Sequence, residues 1–318
     1  MGPTSIAYLF LILSQVHPEL TISNKTPSEW CLAYLSCGQE SVPPDTFKNC
    51  GISNEYLAYN TIKACATLDL RAAQNVLSTL SALDTEPDMS EWMLGRAGGL
   101  YFLRLLRTYF PSLAGEVNRV AELLIAHLLK QIPWTLLGTP YIGAVHGSIG
   151  IITQIILSSP SHAPKLDSQL IELLNLQCPD GNWPTRPDHD SGPVQFCHGA
   201  PGIIVSLVAL RPHFPSLQTR IDAAIESGRK CVWQKGLLVK EPNICHGISG
   251  NALALVGQER EHFLAEATPD EIRKGIEEGR FRKGDEPWGL LWGEAGRAWV
   301  WMCEADGVDR GVVTYTDV

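Results

Sequence analysis

The chain has 318 residues, of which 45% are hydrophobic and 19% charged, a composition that excludes disorder and fibrous repeats. With 25 Lys and Arg against 34 Asp and Glu, the formal net charge is −9. That balance argues against nucleic acid as a partner, because phosphate affinity comes from clustered basic residues. The nine cysteines are an odd number in a chain long enough to bury a core without disulfides. They point to free thiols in a reducing compartment and hence to a cytoplasmic protein.

In chain order, the first apolar run is Ile6 to Leu13. No basic segment precedes it, no small-residue cleavage site follows it, and it is far too short to cross a bilayer, so it reads as a core helix with no transmembrane segment. A Gly-x-x-Gly pattern then recurs, each copy opening an apolar stretch. The full copies are Gly95-Arg96-Ala97-Gly98, Gly147-Ser148-Ile149-Gly150, Gly199-Ala200-Pro201-Gly202, Gly247-Ile248-Ser249-Gly250 and Gly293-Glu294-Ala295-Gly296. Two degenerate copies stand earlier, at Gly2-Pro3-Thr4-Ser5 and Gly51-Ile52-Ser53-Asn54, which makes seven at intervals of 44 to 52 residues. The stretches Leu100 to Leu106, Ile151 to Leu157, Ile203 to Leu210 and Asn251 to Leu255 follow the glycines and read as buried helices, the last because it is rich in Ala and Leu.

Between these lie amphipathic segments. Val117, Val120, Leu124 and Leu128 share one helix face, with Glu116, Arg119 and Glu122 elsewhere; Leu166, Leu170, Leu173 and Leu174 repeat the pattern. Thr268-Pro269-Asp270-Glu271 is a capping box with Pro at the first helical position and starts another helix. The expected architecture is therefore all-α, a seven-fold α/α toroid in which apolar inner helices alternate with amphipathic outer ones, over a single domain 1–318. The first outer helix is expected to be missing, since the chain begins directly at an inner one. An open solenoid of the HEAT type is the alternative, but such repeats seldom carry glycine pairs at a helix start.

Three of the glycine motifs are preceded by metal-ligand residue types: Val145-His146-Gly147, Cys197-His198-Gly199 and Cys245-His246-Gly247. Equivalent positions of a closed ring meet at one mouth, so His146, Cys197, His198, Cys245 and His246 are expected to converge. Soft thiolates with imidazole suit Zn2+, and three protein ligands with an open fourth position are the catalytic form of such a site. Cys31, Cys37, Cys50, Cys65, Cys231 and Cys303 read as small apolar core fillers, and Cys178 as an unremarkable loop residue.

These motifs, together with Ala144-Val145-His146-Gly147, Asp180-Gly181-Asn182-Trp183-Pro184 and Cys245-His246-Gly247-Ile248-Ser249-Gly250-Asn251-Ala252, resemble the lanthionine synthetase C-like family, the eukaryotic relatives of lantibiotic cyclases. The resemblance runs over nearly the whole chain and implies the same seven-fold toroid. It implies zinc ligands at Cys197, Cys245 and His246, with His198 a neighbour, and a general acid/base at His146. It places Lys240 and Arg282 where glutathione-binding relatives contact the tripeptide. The implied reaction is addition of a thiolate, from glutathione or a cysteine, to dehydroalanine or dehydrobutyrine in a peptide or small-molecule acceptor, giving a thioether. The chain departs from the family in Asn182-Trp183-Pro184-Thr185, where Tyr and Ser are usual after the Asn and the Pro. The rival readings are a non-catalytic zinc- and glutathione-binding scaffold or sensor, and a protein prenyltransferase subunit. The latter is also a zinc-bearing toroid, with six hairpins and an Asp-Cys-His set. Glycosidases of the six-hairpin type need paired carboxylates at the mouth, where this chain presents Cys and His, Glu294 excepted.

Overall fold

A computed structural model describes residues 2–38, 49–82, 89–284 and 287–318. The described residues are helical, with turns and three isolated bridges and no strand. They form two compact units.

The first unit comprises Met1–Ile132 with Trp288–Leu290 and Val318. Its helices α1 (Pro3–Val16), α3 (Glu55–Thr67) and α5 (Arg96–Tyr109) pack side by side. Behind each lies its successor in the chain: α2 (Pro27–Cys37), α4 (Leu70–Ser81) and α6 (Ala114–Lys130). The two layers differ in their sequences for a physical reason. Helix α5 is buried continuously from Arg96 to Leu106, so along this stretch it has no solvent-exposed face. Helix α6 buries only the stripe of Val117, Val120, Ala121, Leu124, Ile125 and Leu128 and turns Glu116, Arg119 and Glu122 to solvent, as its period requires.

The second unit comprises Pro133–Pro287 and Leu291–Asp317 and repeats the scheme. Helices α7 (Ser148–Ser158), α9 (Ala200–Leu210), α11 (Ile248–Ala252) and α14 (Glu294–Asp306) pack in series. Helices α8 (Ala163–Asn175), α10 (Gln218–Lys235), α12 (Gly257–Ala265) and α13 (Pro269–Glu277) complete the unit. Leu166, Leu170, Leu173 and Leu174 are the buried face of α8. The segment after α14 returns into this core. Tyr315 is fully buried, its hydroxyl 2.6 Å from Ser206 Oγ, its carbonyl accepting from Gln154 Nε2 at 3.1 Å, and its ring edge-on to Phe196.

The glycine pairs have a steric cause. The loop before each helix curls back over its first turn. A Cβ on Gly98, Gly150, Gly202 or Gly250 would be driven into the carbonyl oxygen six residues earlier, that of Trp92, Ala144, Phe196 or Ile244. The first glycines 95, 147 and 247 also leave no room for a Cβ against the backbone four to six residues earlier, though less tightly, and Gly199 adds φ +106, where a side chain is strained.

Three local expectations need correction. Gly2 is the N-cap residue of α1, but Gly51 does not start a helix: α3 begins after Asn54, whose side chain accepts from Leu57 N, and Gly51 instead packs under Gly98. Asn251 to Leu255 is not helical throughout, because α11 ends at Ala252. Arg229 donates to the Ala254 carbonyl, and Arg260 donates to those of Ala252, Leu253 and Leu255, so side chains take the acceptors that further helix would have used. Thr268 does cap α13, but Glu271 pairs with Arg280 at 2.9 Å, leaving the box half-formed; a complete box stands at Thr26 and Glu29, ahead of Pro27.

Candidate metal centre

Three successive loops of the second unit, those leading into α7, α9 and α11, build the site. The backbone links the last two to each other and to the loop before α14: Cys197 N donates to Cys245 O at 3.0 Å, and Cys245 N to Leu291 O of that loop at 2.9 Å. This register sets the two cysteines side by side. The sulfurs of Cys197 and Cys245 and a ring nitrogen of His246 lie within 4.8 Å of one another, with both cysteines buried and His246 half-buried.

The Cys245-His246 turn is held by buried polar groups. Asn243 Oδ1 accepts from His246 N at 2.9 Å, and Asn243 Nδ2 donates to Glu241 O at 3.1 Å. The Glu241 carboxylate is itself buried, pairs with Arg297 of α14 at 3.1 Å and accepts from Gly284 N at 2.6 Å; Arg297 also donates to Pro242 O. A buried ion pair of this kind stabilises little by itself but fixes the loop's geometry through its extra hydrogen bonds. The Asp180-Gly181-Asn182-Trp183 loop braces α9 in the same way. Gly199 has no side chain to cap the helix, and Asn182 Oδ1 accepts from Ala200 N at 2.8 Å in its place. Trp183 is fully buried and its indole N–H donates to Leu173 O.

The electrostatics favour one thiolate. Cys245 is held well below the ordinary thiol range, first by the Cys197 S–H that donates to it, with further help from His246 and the Trp292 side chain, against the cost of burial. Cys197 is correspondingly raised, first by that same bond and then by burial; Gln195 Nε2, 3.0 Å from its sulfur, and the charge of Lys240 act in the opposite sense. Burial, and then the neighbouring His146, push His198 down to about 4. Elsewhere burial pushes Cys31 and Cys50 up to about 12 and Cys303 to about 11, as expected of inert core thiols; Cys37, expected in the core, is exposed.

The structure brings the other candidate residues into two groups. The rings of His146 and His198 are 5.9 Å apart, and Tyr141 lies 5.6 Å from His198 and 6.4 Å from His146. Lys240 and Arg282 form a parallel bridge, with Glu241 N donating to Arg282 O at 2.9 Å and Arg282 N to Val239 O at 2.7 Å. Both are exposed. Glu294 turns to solvent and pairs with Arg297 at 3.4 Å. Sequence reading missed Tyr141, Gln195, Asn243 and Trp292. Asn243 and Gln195 stand three residues before His246 and two before Cys197, the spacing at which a side-chain amide reaches back to its own turn; nothing in the sequence pairs Trp292 with Cys245.

The donor set suits zinc. Thiolate and imidazole bind it at about 2.3 and 2.0–2.1 Å, so donors around one ion sit roughly 3.5–3.8 Å apart. The 4.8 Å spread closes by about 1 Å of side-chain rotation.

Residues 1–303 match the model of the lanthionine synthetase C-like protein family. Among relatives, glutathione S-transferase LANCL1 of Danio rerio is 29% identical over 49% of this chain and 41% of its own length. LanC-like protein GCL1 of Arabidopsis thaliana is 32% identical over 37% of this chain and 28% of its own. The aligned stretches thus span less than half of either relative. Among solved structures, nisin cyclase superposes with a TM-score of 0.64 at 13% identity, covering 97% of this chain and 88% of its own. That likeness shows the fold, the all-α, seven-fold α/α toroid read from the glycine repeat. The family match runs through every glycine motif and through both Cys-His-Gly turns, and on that ground the chain belongs to the lanthionine synthetase C-like family.

Proposed function

We propose that this protein catalyses the zinc-dependent addition of a thiol, from glutathione or a cysteine, to a dehydroalanine or dehydrobutyrine residue. The observation that carries the reading is the convergence of Cys197, Cys245 and His246 within 4.8 Å in a buried turn braced by Asn243 and the Glu241–Arg297 pair. Family membership and the names of the similar proteins, a glutathione S-transferase and a cyclase, support thiol chemistry in general. Zinc held by these three residues would lower the pKa of an arriving thiol, and the two cysteinate ligands keep it a mild Lewis acid.

The remaining roles fall to the chain's own residues. Lys240 and Arg282, on adjacent backbone, present two cations suited to the carboxylates of the tripeptide. The thiolate sulfur attacks the β-carbon of the acceptor. A C–S bond forms, the alkene π pair moves into the enolate, and the thiol proton leaves to solvent. His146 delivers a proton to the α-carbon and is reprotonated from water, so atoms and charge balance. Tyr141 and His198 pack beside His146 and restrict its ring. The nine free cysteines suit a cytoplasmic setting, and no described helix is long and apolar enough to cross a membrane.

The test compares wild type with His146→Ala for zinc content, glutathione binding and thioether formation with a dehydroalanine peptide. Zinc and binding should be retained, and the rate should fall by about 10²–10⁴-fold, the usual worth of a positioned acid. Zinc loss in His146→Ala refutes its role as proton donor. A zinc-loaded wild type that binds glutathione but forms no thioether establishes the scaffold reading instead.

A further inference from the structure

Away from the metal centre, the second unit carries a cavity of about 200 Å³. Its walls are apolar, formed by Ile204, Val205 and Val208 of α9, Leu253 just past α11, and Val312 of the segment after α14. Its polar lining is Arg229 of α10, Arg260 of α12, Asp309 and Thr316, two cations against one carboxylate.

The two arginines are not equivalent. Arg260 is the more heavily engaged: its Nε and Nη2 donate to three carbonyls of the α11 end, and Nη2 lies 3.6 Å from the exposed Asp309 carboxylate. Arg229 makes one hydrogen bond, from Nε to Ala254 O at 3.0 Å, and among the described residues has no carboxylate within ion-pair distance. It is half-buried, and burial followed by the like charge of Arg260 disfavours its cation. The charges of Glu259 and Asp309 offset this only in part, since neither forms an ion pair with it. In the adjoining groove Asp222 is paired with Arg211 at 2.5 Å and Glu226 with Lys230 at 2.8 Å, and Glu259 lines that groove and not the cavity. A half-buried guanidinium with most of its donors free, at one end of an apolar cavity, is the arrangement that receives an amphipathic anion.

We infer that this cavity is a binding site for a small organic carboxylate with a branched apolar body, its carboxylate on Arg229 and its hydrocarbon against Val208, Leu253 and Val312. The apolar walls disfavour a fully hydrated anion such as phosphate. The volume is below the roughly 300–1,000 Å³ of drug-sized pockets, so the ligand is small. The site is separate from the thiol chemistry proposed above and stands or falls independently of it.

The probe is 4-methylpentanoate, titrated into the zinc-loaded full chain by calorimetry, with 4-methylpentanamide and inorganic phosphate as comparisons. Saturable binding of the carboxylate, at least ten-fold tighter than the amide or phosphate, is expected. Arg229→Met keeps the side-chain stem and should weaken binding by at least ten-fold. Because that variant also loses a bond to Ala254, a second is needed. Val208→Glu places an internal carboxylate at a residue that is 45% exposed, so it should block the probe with zinc content and unfolding temperature unchanged. The inference is overturned by absence of saturable carboxylate binding, by equal binding of the amide or of phosphate, or by full binding in Val208→Glu.

Discussion

Replacing Gly250 by Ala is the sharpest test of how the glycine motif holds the metal-binding turn. A Cβ at this position would lie 2.7 Å from the carbonyl carbon of Ile244 and closer still to its oxygen, where ordinary contact begins at 3.4 Å. The oxygen is the nearer atom and sets the displacement, so the carbonyl must retreat by more than about 1 Å. It belongs to the peptide that joins Ile244 to Cys245, so no side-chain rotation relieves the clash and the retreat moves a candidate ligand directly. Overpacking a core costs about 1–3 kcal/mol, and a rigid backbone partner puts this case at the upper end, about 3 kcal/mol. At about 2 °C per kcal/mol for a chain of this size, the unfolding temperature drops by about 6 °C. Thermal unfolding followed by circular dichroism, with elemental analysis for zinc, reads both effects. Gly115→Ala is the internal control: it lies in α6 with nothing within 4 Å of its added Cβ, so it should raise stability by about 0.5–1 kcal/mol. Wild-type stability and wild-type zinc content in Gly250→Ala would refute the steric account of the motif.

Elemental analysis should find about one zinc per chain, lost in Cys197→Ala, Cys245→Ala and His246→Ala and kept in His198→Ala; full occupancy in Cys245→Ala refutes the ligand set. Asp180 is held below the usual carboxylate range, first by its bond to Lys235 and next by Asn182 N, so its stabilisation is complete above the unfolded-state value near 4 and is lost as pH falls through the lower folded value. Asp180→Asn should therefore cost up to about 1 kcal/mol at pH 7, an exposed pair being well screened, with the difference from wild type vanishing in strong acid, as denaturant titrations at several pH values will show. Tyr315→Phe removes a buried hydroxyl bond to Ser206 and should destabilise by about 1–3 kcal/mol, read as a lower denaturation midpoint at unchanged slope.

The repeat and the two-layer character of the helices were legible in the sequence because both depend on local features: a steric need for glycine and a helical period. Val117, Val120, Leu124 and Leu128 could be placed on a buried face with no knowledge of what covers them. The candidate ligands were legible because the repeat carries Cys and His at one phase. What escaped was set by tertiary contacts. Helix α11 stops at Ala252 because two arginines from other helices take its carbonyls, and nothing near Ala252 in the sequence announces them. Gly51 read as a helix start by analogy, yet Asn54 is the better cap, and the analogy overrode the local chemistry. Trp292 reaches Cys245 from forty-odd residues away, a pairing only the fold creates.

The return of Tyr315 into the second unit bears on the order of folding. Its bonds to Gln154 and Ser206 span 161 and 109 residues, among the longest separations in this unit. Helices α7 to α10 can form and dock through shorter connections, so loop-closure entropy places the insertion of 312–315 late on the pathway. Val312, Val313 and Tyr315 are all fully buried, so this late step also shields the apolar faces of α7 and α9. Interactions absent from the transition state act on the unfolding rate and hardly on the folding rate. The segment therefore works as a latch: weakening it shortens the lifetime of the native unit far more than it slows its formation, and amide hydrogens of α7 and α9 should exchange through openings that begin there.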